Sequence, residues 1–102
     1  MPKAPEKLKS QDTKARLGKL SGWSLKQSKL HREYRCDDFV HAFAFMSACA
    51  LHAEGMNHHP EWSNVWNKVT VDLSTHDAGG ITEQDFALAE KMEGVARKLG
   101  AK

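Results

Sequence analysis

The chain is poor in the residues that staple, span or ligate. Its 102 residues hold two cysteines, Cys36 and Cys49, too far apart for the close pairing of a zinc knuckle, so reduced structural thiols are expected. No apolar run approaches the roughly 18 residues needed to cross a bilayer, and the N-terminus lacks the basic, apolar and small-residue series of a secretion signal. The membrane is therefore not an expected partner, and the expected location is cytoplasmic. Neither an HExxH nor a paired Cys/His zinc spacing occurs, so no metal is expected. Gly79-Gly80 does not complete a phosphate-cradling loop, and neither GxSxG nor a helix-borne Cys-x-x-Cys is present.

What remains is an ordinary folding composition. Hydrophobic residues make up 40% and charged residues 27%, which suits one domain over residues 1–102 and excludes a disordered chain. The net charge of +2 is unevenly spread: residues 1–35 carry ten Lys/Arg against three acids, and residues 36–102 carry five against ten. Residues 1–12 read as a flexible basic arm. Its lysines are irregularly spaced without interleaved aromatics, so no direct nucleic-acid contact is expected.

A short helix over 12–20 would carry Leu17 and Leu20 before Ser21-Gly22 breaks the pattern. Leu30, Arg32, Tyr34 and Cys36 alternate with His31, Glu33 and Arg35, the period of a half-exposed strand, and a turn near Gln27-Ser28 makes a hairpin with the preceding segment. Asp37 or Asp38 caps a helix over about 38–56, whose apolar surface runs through Phe39, Phe43, Met46, Ala50 and Ala53; Gly55 and Pro60 mark its end. Trp62–Ser74 is rich in β-branched and aromatic residues, with a turn or bulge at Asn67-Lys68. Thr82 caps the last helix with Asp85 as its capping-box partner, and Phe86, Ala89, Met92, Ala96 and Leu99 form its apolar stripe. The expected fold is α+β and two-layered: a four-stranded antiparallel sheet in the order β-β-α-β-β-α, with two main helices on one face and a short N-terminal helix. If the other face of the sheet were apolar, it would invite self-association.

Chemistry concentrates in a split histidine cluster, His58-His59 beside a helix end and His76 after the alternating run. Histidine both accepts and donates a proton near neutrality, and a reaction that removes one proton while protonating a departing oxygen calls for two such groups on opposite sides of the substrate. Adjacent residues diverge, so His58 and His59 should have different jobs. Glu54, four residues before His58, is placed to orient that imidazole. Trp23, Trp62 and Trp66 serve equally as core or as stacking surfaces, with Trp62 the better-placed stacker.

The run Glu54-Gly55-Met56-Asn57-His58-His59-Pro60-Glu61-Trp62, followed by Leu73-Ser74-Thr75-His76-Asp77-Ala78-Gly79-Gly80-Ile81-Thr82 and Asp85, resembles the pterin-4a-carbinolamine dehydratase family. Gly22-Trp23, Leu30-x-Arg32-x-Tyr34, Asp38-Phe39 and Ala42-Phe43-x-Phe45 extend the likeness over about residues 20–99. The resemblance implies dehydration of 4a-hydroxytetrahydropterin to quinonoid dihydropterin, recycling the cofactor of an aromatic amino acid hydroxylase without a metal or organic cofactor. It implies His58 and His76 as acid/base residues and His59 for binding and charge stabilisation, with Glu54, Pro60, Trp23 and Asp85 shaping the pocket. A homodimer or homotetramer is expected. Trp66, Cys36 and Ser63 depart from the family's more usual aromatics and bear on packing or association. The alternative is a non-catalytic interaction protein, because animal relatives also act as dimerisation cofactors of a homeodomain transcription factor through their helical surface.

Overall fold

The computed structural model describes residues 5–102. The expected basic arm therefore lies partly outside the described residues; of the remainder, Pro5–Lys9 is irregular chain and Ser10 already begins helix α1, Ser10–Leu17. Strands β1 (Ser24–Lys26) and β2 (Lys29–Arg35) follow, then α2 (Phe39–Met56), β3 (Glu61–Val65), β4 (Lys68–Leu73), a single 3₁₀ turn at His76–Ala78, and α3 (Glu83–Leu99). The sheet order is β1-β2-β4-β3 with every pair antiparallel. This is the expected α+β architecture, with a short N-terminal helix and two longer ones. Among the described residues no helix is long and apolar enough to cross a membrane.

Alternation sorts the sheet into two faces. Leu30 pairs with Leu73 and Tyr34 with Val69, and these residues with Val71 are buried in one core with Phe45 and Cys49 of α2 and Phe86, Leu88 and Met92 of α3. Residues of the other parity are polar, apart from the exposed Val65 at the end of β3. There His31 Nδ1 lies 2.9 Å from Asp72 Oδ1, and Lys29 Nζ donates to both oxygens of Glu61 at 3.0 and 2.8 Å. The outer sheet face is thus mostly polar, and most of the exposed large apolar side chains lie on α2. Phe39, Val40, Phe43 and Leu51 are all exposed, while Ala42, Phe45, Cys49 and Ala53 face the core. Of the stripe expected through Phe39, Phe43, Met46, Ala50 and Ala53, the first two and Ala50 face outward, Met46 packs against the core and Ala53 is buried in it.

Local chemistry accounts for the joints. Gln27 and Ser28 both have positive φ, 53° and 62°, the backbone of a two-residue hairpin turn whose twist matches its strands. The β3–β4 turn falls at Trp66-Asn67, one residue earlier than expected, with Trp66 at φ 50°. α2 runs through Gly55 and ends at Asn57 in the left-handed region, with Asn57 N–H donating to Glu54 O and His58 N–H to Ala53 O. That pair of bonds is a Schellman closure, satisfying carbonyls that the helix end leaves free. Glu93 of α3 accepts from the buried Tyr34 hydroxyl and from Trp23 Nε1 at 3.2 Å, and Arg32 lies over the Tyr34 ring at 4.5 Å. Gly22 beside it has φ +88°, a backbone that side-chain-bearing residues rarely adopt, and a Cβ there would also displace the Arg32 guanidinium.

The cap of α2 has a pH signature. Asp38 Oδ1 accepts the His41 backbone N–H at 2.8 Å and meets His41 Nδ1 at 2.7 Å. The backbone and side-chain hydrogen bonds from His41 hold the Asp38 carboxyl below its ordinary 3.8, and the hydrogen bond to Asp38 raises His41 above its ordinary 6.5. The carboxylate's contribution is present above pH 3.8 and is lost as pH falls through the lowered value. The imidazolium's contribution is present below pH 6.5 and is lost as pH rises through the raised value. His41→Ala is expected to lower the melting temperature more at about pH 5 than at about pH 9; circular-dichroism melts showing equal losses would contradict this.

Candidate active site

Three segments meet at a cleft of about 620 Å³: the end of α2 (Met56–His59), the exit of β4 (Ser74–Asp77), and Gln84 in the first turn of α3, with Pro5 at its rim. The left-handed Asn57 turns the chain out of helical register, so His58 swings inward and is 8% exposed, while His59 stays outside. The adjacent histidines diverge as expected.

His58 is fixed from behind. Its Nε2 lies 2.6 Å from Asp85 Oδ1, and the fully buried Asp85 accepts on Oδ2 from Thr75 Oγ1 at 2.9 Å and from the Thr82 backbone N–H at 2.8 Å. Thr75 Oγ1 and Thr82 Oγ1 are 2.7 Å apart, and Thr82 Oγ1 accepts from Gln84 N–H at 3.2 Å. Donor accounting then orders the protons. An ionised carboxylate only accepts, so Thr75 donates to Asp85, Thr82 donates to Thr75, and His58 carries its proton on Nε2. Nδ1 is the nitrogen left to the cleft. Asp85 therefore does two things at once: one oxygen closes the capping box of α3, and the other sets the tautomer of His58.

His76 lines the same cleft from the segment beyond β4. Thr75 N–H donates to Gly80 O at 2.8 Å and Gly80 N–H to Thr75 O at 3.4 Å, and Gly79 at φ +71° ends the intervening 3₁₀ turn. The bridge pinches off residues 76–79 and presents His76 exposed. Thr75 thus belongs to both halves, its backbone closing the His76 loop and its hydroxyl holding Asp85.

The other expected pocket residues are placed less centrally. Glu54 does not reach His58: its Oε1 meets His59 Nε2 at 2.8 Å, because the turn at Asn57 breaks the helical spacing that would have paired it with His58. Both side chains are largely exposed, at 58% and 81%, so the pair contributes little to stability. Trp23 is buried against Glu93 and edge-on to Tyr34, with ring centroids 6.2 Å apart, and it does not line the cleft. Pro60 does not line it either, and Trp62 pairs across the sheet with Val71. Asn57 and Ser74, which belong to the two motif runs, do line it, as does Gln84, which no sequence signal points to. Thr75 was visible only as the residue before His76, and its tie to Asp85 is a contact that spacing does not reveal. Burial pushes the Cys49 thiol up to about 12 and raises that of Cys36, which suits packing residues rather than nucleophiles. Among the described residues no three histidine, cysteine or carboxylate side chains are grouped to hold a metal ion.

A family model described as Pterin 4 alpha carbinolamine dehydratase matches residues 6–95. A Solibacter usitatus (strain Ellin6076) protein provisionally named a pterin-4-alpha-carbinolamine dehydratase is 54% identical over 90 residues, covering 88% of this chain and 95% of that protein. A Sinorhizobium fredii (strain NBRC 101917 / NGR234) protein with the same provisional name is 50% identical over 94 residues, covering 90% of each. The crystal structure of a transcriptional coactivator/pterin dehydratase from Brucella melitensis superposes with a TM-score of 0.87 at 39% identity, covering 89% of this chain and 99% of that one.

The buried network generates a stability prediction. Asp85→Ala strands His58, the Thr75 hydroxyl and the Thr82 N–H together and is expected to cost about 3–5 kcal/mol; Thr75→Val, which removes one hydroxyl, about 1–2 kcal/mol. Urea denaturation measures both, and a midpoint unchanged in Asp85→Ala would refute the network's role.

Proposed function

The chain belongs to the pterin-4a-carbinolamine dehydratase family, and from that premise we propose that it removes water from a 4a-hydroxytetrahydropterin to give quinonoid dihydropterin. The observation that carries the proposal is His58, held by the buried Asp85, in one cleft with His76. The N5 lone pair expels the hydroxyl at C4a, one histidine protonates the departing oxygen to form water, and the N5 proton passes to the other. With its Nε2 proton committed to Asp85, neutral His58 has Nδ1 open as a base; doubly protonated, the same nitrogen donates. His76 takes the complementary role, so each C4a stereoisomer finds an acid on its own side. His59, steadied by Glu54 at the mouth, is assigned to binding and to the charge that develops during departure. Asp85 acts through His58 as a positioning residue, and Trp23 and Pro60 are not assigned a ligand role.

The source of such a carbinolamine is a pterin-dependent aromatic amino acid hydroxylase, and we place the pair in the cytoplasm. We further propose a homodimer or homotetramer. Its support is the outer face of α2, where Val40 is 72% and Leu51 77% exposed and the Phe39 and Phe43 rings lie 6.1 Å apart, a contiguous apolar surface of the kind that marks an interface. A non-catalytic role as a dimerisation cofactor would use the same face and so would compete with self-association.

Two measurements check these assignments. Against freshly generated 4a-hydroxytetrahydropterin near neutral pH, His58→Ala and His76→Ala are each expected to lower the rate by about 100-fold or more, and the double variant to approach the buffer rate; an undiminished double variant would refute the catalytic assignment. Phe43→Asp is expected to dissociate the assembly by light scattering while His58 stays in place, and a wild-type chain that is already a strict monomer would remove the oligomer.

A further inference from the structure

Beyond the cleft, the His76 loop is flanked by two further hollows. The first, about 170 Å³, shares Ser74, Thr75 and His76 with the cleft and reaches Gln27, Ser28 and Lys29 of the β1–β2 turn. The second, about 570 Å³, adjoins the first at Ser28 and Gly80 and carries Lys7, Lys9 and Ser10. No aspartate or glutamate lines either hollow, although the chain as a whole has 13 acids. Lys29 is engaged by Glu61, whereas neither Lys7 nor Lys9 is paired with a carboxylate among the described residues. Lys7 is also held in place. Leu8 N–H donates to Ile81 O at 2.8 Å, clamping the N-terminal segment beside the loop, and the Lys7 stem lies so close over Gly80 that a Cβ there would be 2.8 Å from Lys7 Cε.

We propose that this lysine-lined groove binds an anionic terminus, carboxylate or phosphate, on the C6 side chain of the pterin, making Lys7 and Lys9 specificity residues. The proposal rests on the dehydratase reading. Pterins share their ring and differ in that side chain, so a subsite set apart from the histidines by the His76 loop discriminates among substrates without touching the reaction. Two cations with no carboxylate partner, beside hydroxyls from Ser10 and Ser28, suit an anion with several acceptor oxygens.

Isothermal titration of the full chain compares three probes: 7,8-dihydrobiopterin with a neutral side chain, 7,8-dihydroneopterin phosphate, and 7,8-dihydrofolate with its terminal carboxylates. At least one anionic probe is expected to bind about 10-fold tighter than the neutral one at low ionic strength, with the advantage shrinking in about 0.5 M salt; the ranking of the two identifies the anion. The Lys7→Ala/Lys9→Ala variant is expected to lose the advantage and keep wild-type affinity for dihydrobiopterin, and Lys7→Arg/Lys9→Arg to retain it. Equal affinities in the wild type, or an advantage that survives the alanine variant, would overturn the subsite while leaving the dehydratase reading intact. Failure of all three probes to bind would overturn both.

Discussion

A single carboxylate with no solvent exposure, Asp85, receives donors from three separate stretches of chain: His58 beyond α2, Thr75 beyond β4, and the Thr82 backbone at the start of α3. An isolated buried charge costs several kcal/mol, so this one is tolerable only when all three segments are in place together. The contact is also the lowest point of flexibility for the chemistry. A histidine on a helix-end loop would ordinarily sample several rotamers, and the proposed proton transfer needs one nitrogen presented in one direction. By engaging Nε2, Asp85 removes that freedom before substrate arrives. The same carboxylate satisfies an orphan donor of α3, so disturbing the site also frays the helix that supports it.

α3 is anchored a second time, two turns on, by Glu93. There the partners are Tyr34 and Trp23 from the sheet side, and burial with the Glu93 hydrogen bond pushes the Tyr34 hydroxyl far above its ordinary range. Both carboxylates face the interior, yet they differ in what surrounds them. Asp85 opens through His58 onto the cleft, whereas Glu93 ends in aromatic and guanidinium groups that pack. One helix thus carries both a packed anchor at Glu93 and the buried partner of His58 at Asp85, and Trp23 belongs to the anchor.

Features written in neighbouring residues were legible in the sequence. The Gln27-Ser28 turn, the Thr82–Asp85 capping box and the extents of α2 and α3 rest on spacings of two to four residues, and the histidines themselves were found by type. Features that depend on how segments meet were not. Glu54 was expected on His58 because an i,i+4 pair assumes a continuing helix, and the left-handed Asn57 ends that assumption one residue too soon. The turn between β3 and β4 was displaced because Trp66, an aromatic that favours strands, adopts positive φ. The role of the Thr75 hydroxyl lies in contacts ten and seven residues away in the chain. Sequence alternation predicted a strand up to Leu73 but not where the hydroxyl beyond it would point.

The apolar surface of α2 spans both its inner and its outer face, and the reason is informative. A helix apolar nearly all round offers no unique stripe, so periodicity cannot choose between Phe39, Phe43 and Ala50 on one side and Ala42, Phe45, Cys49 and Ala53 on the other. In a helix that only covers a sheet, the larger side chains would gain most by facing inward, each buried one stabilising by about 1.5–3 kcal/mol. Here the order is reversed: apart from Phe45, the inward residues are small, letting α2 lie close to its neighbours, and Phe39, Phe43 and Leu51 point out. Surface of that size and polarity is retained at a cost to solubility. Its placement on the helix whose last turn delivers His58 and His59 means that whatever covers the outer face also steadies the end from which the site is built. Leu51 lies one turn before Glu54 on that helix, so covering it would also dry the surroundings of the exposed Glu54–His59 pair and strengthen an attraction that water now screens.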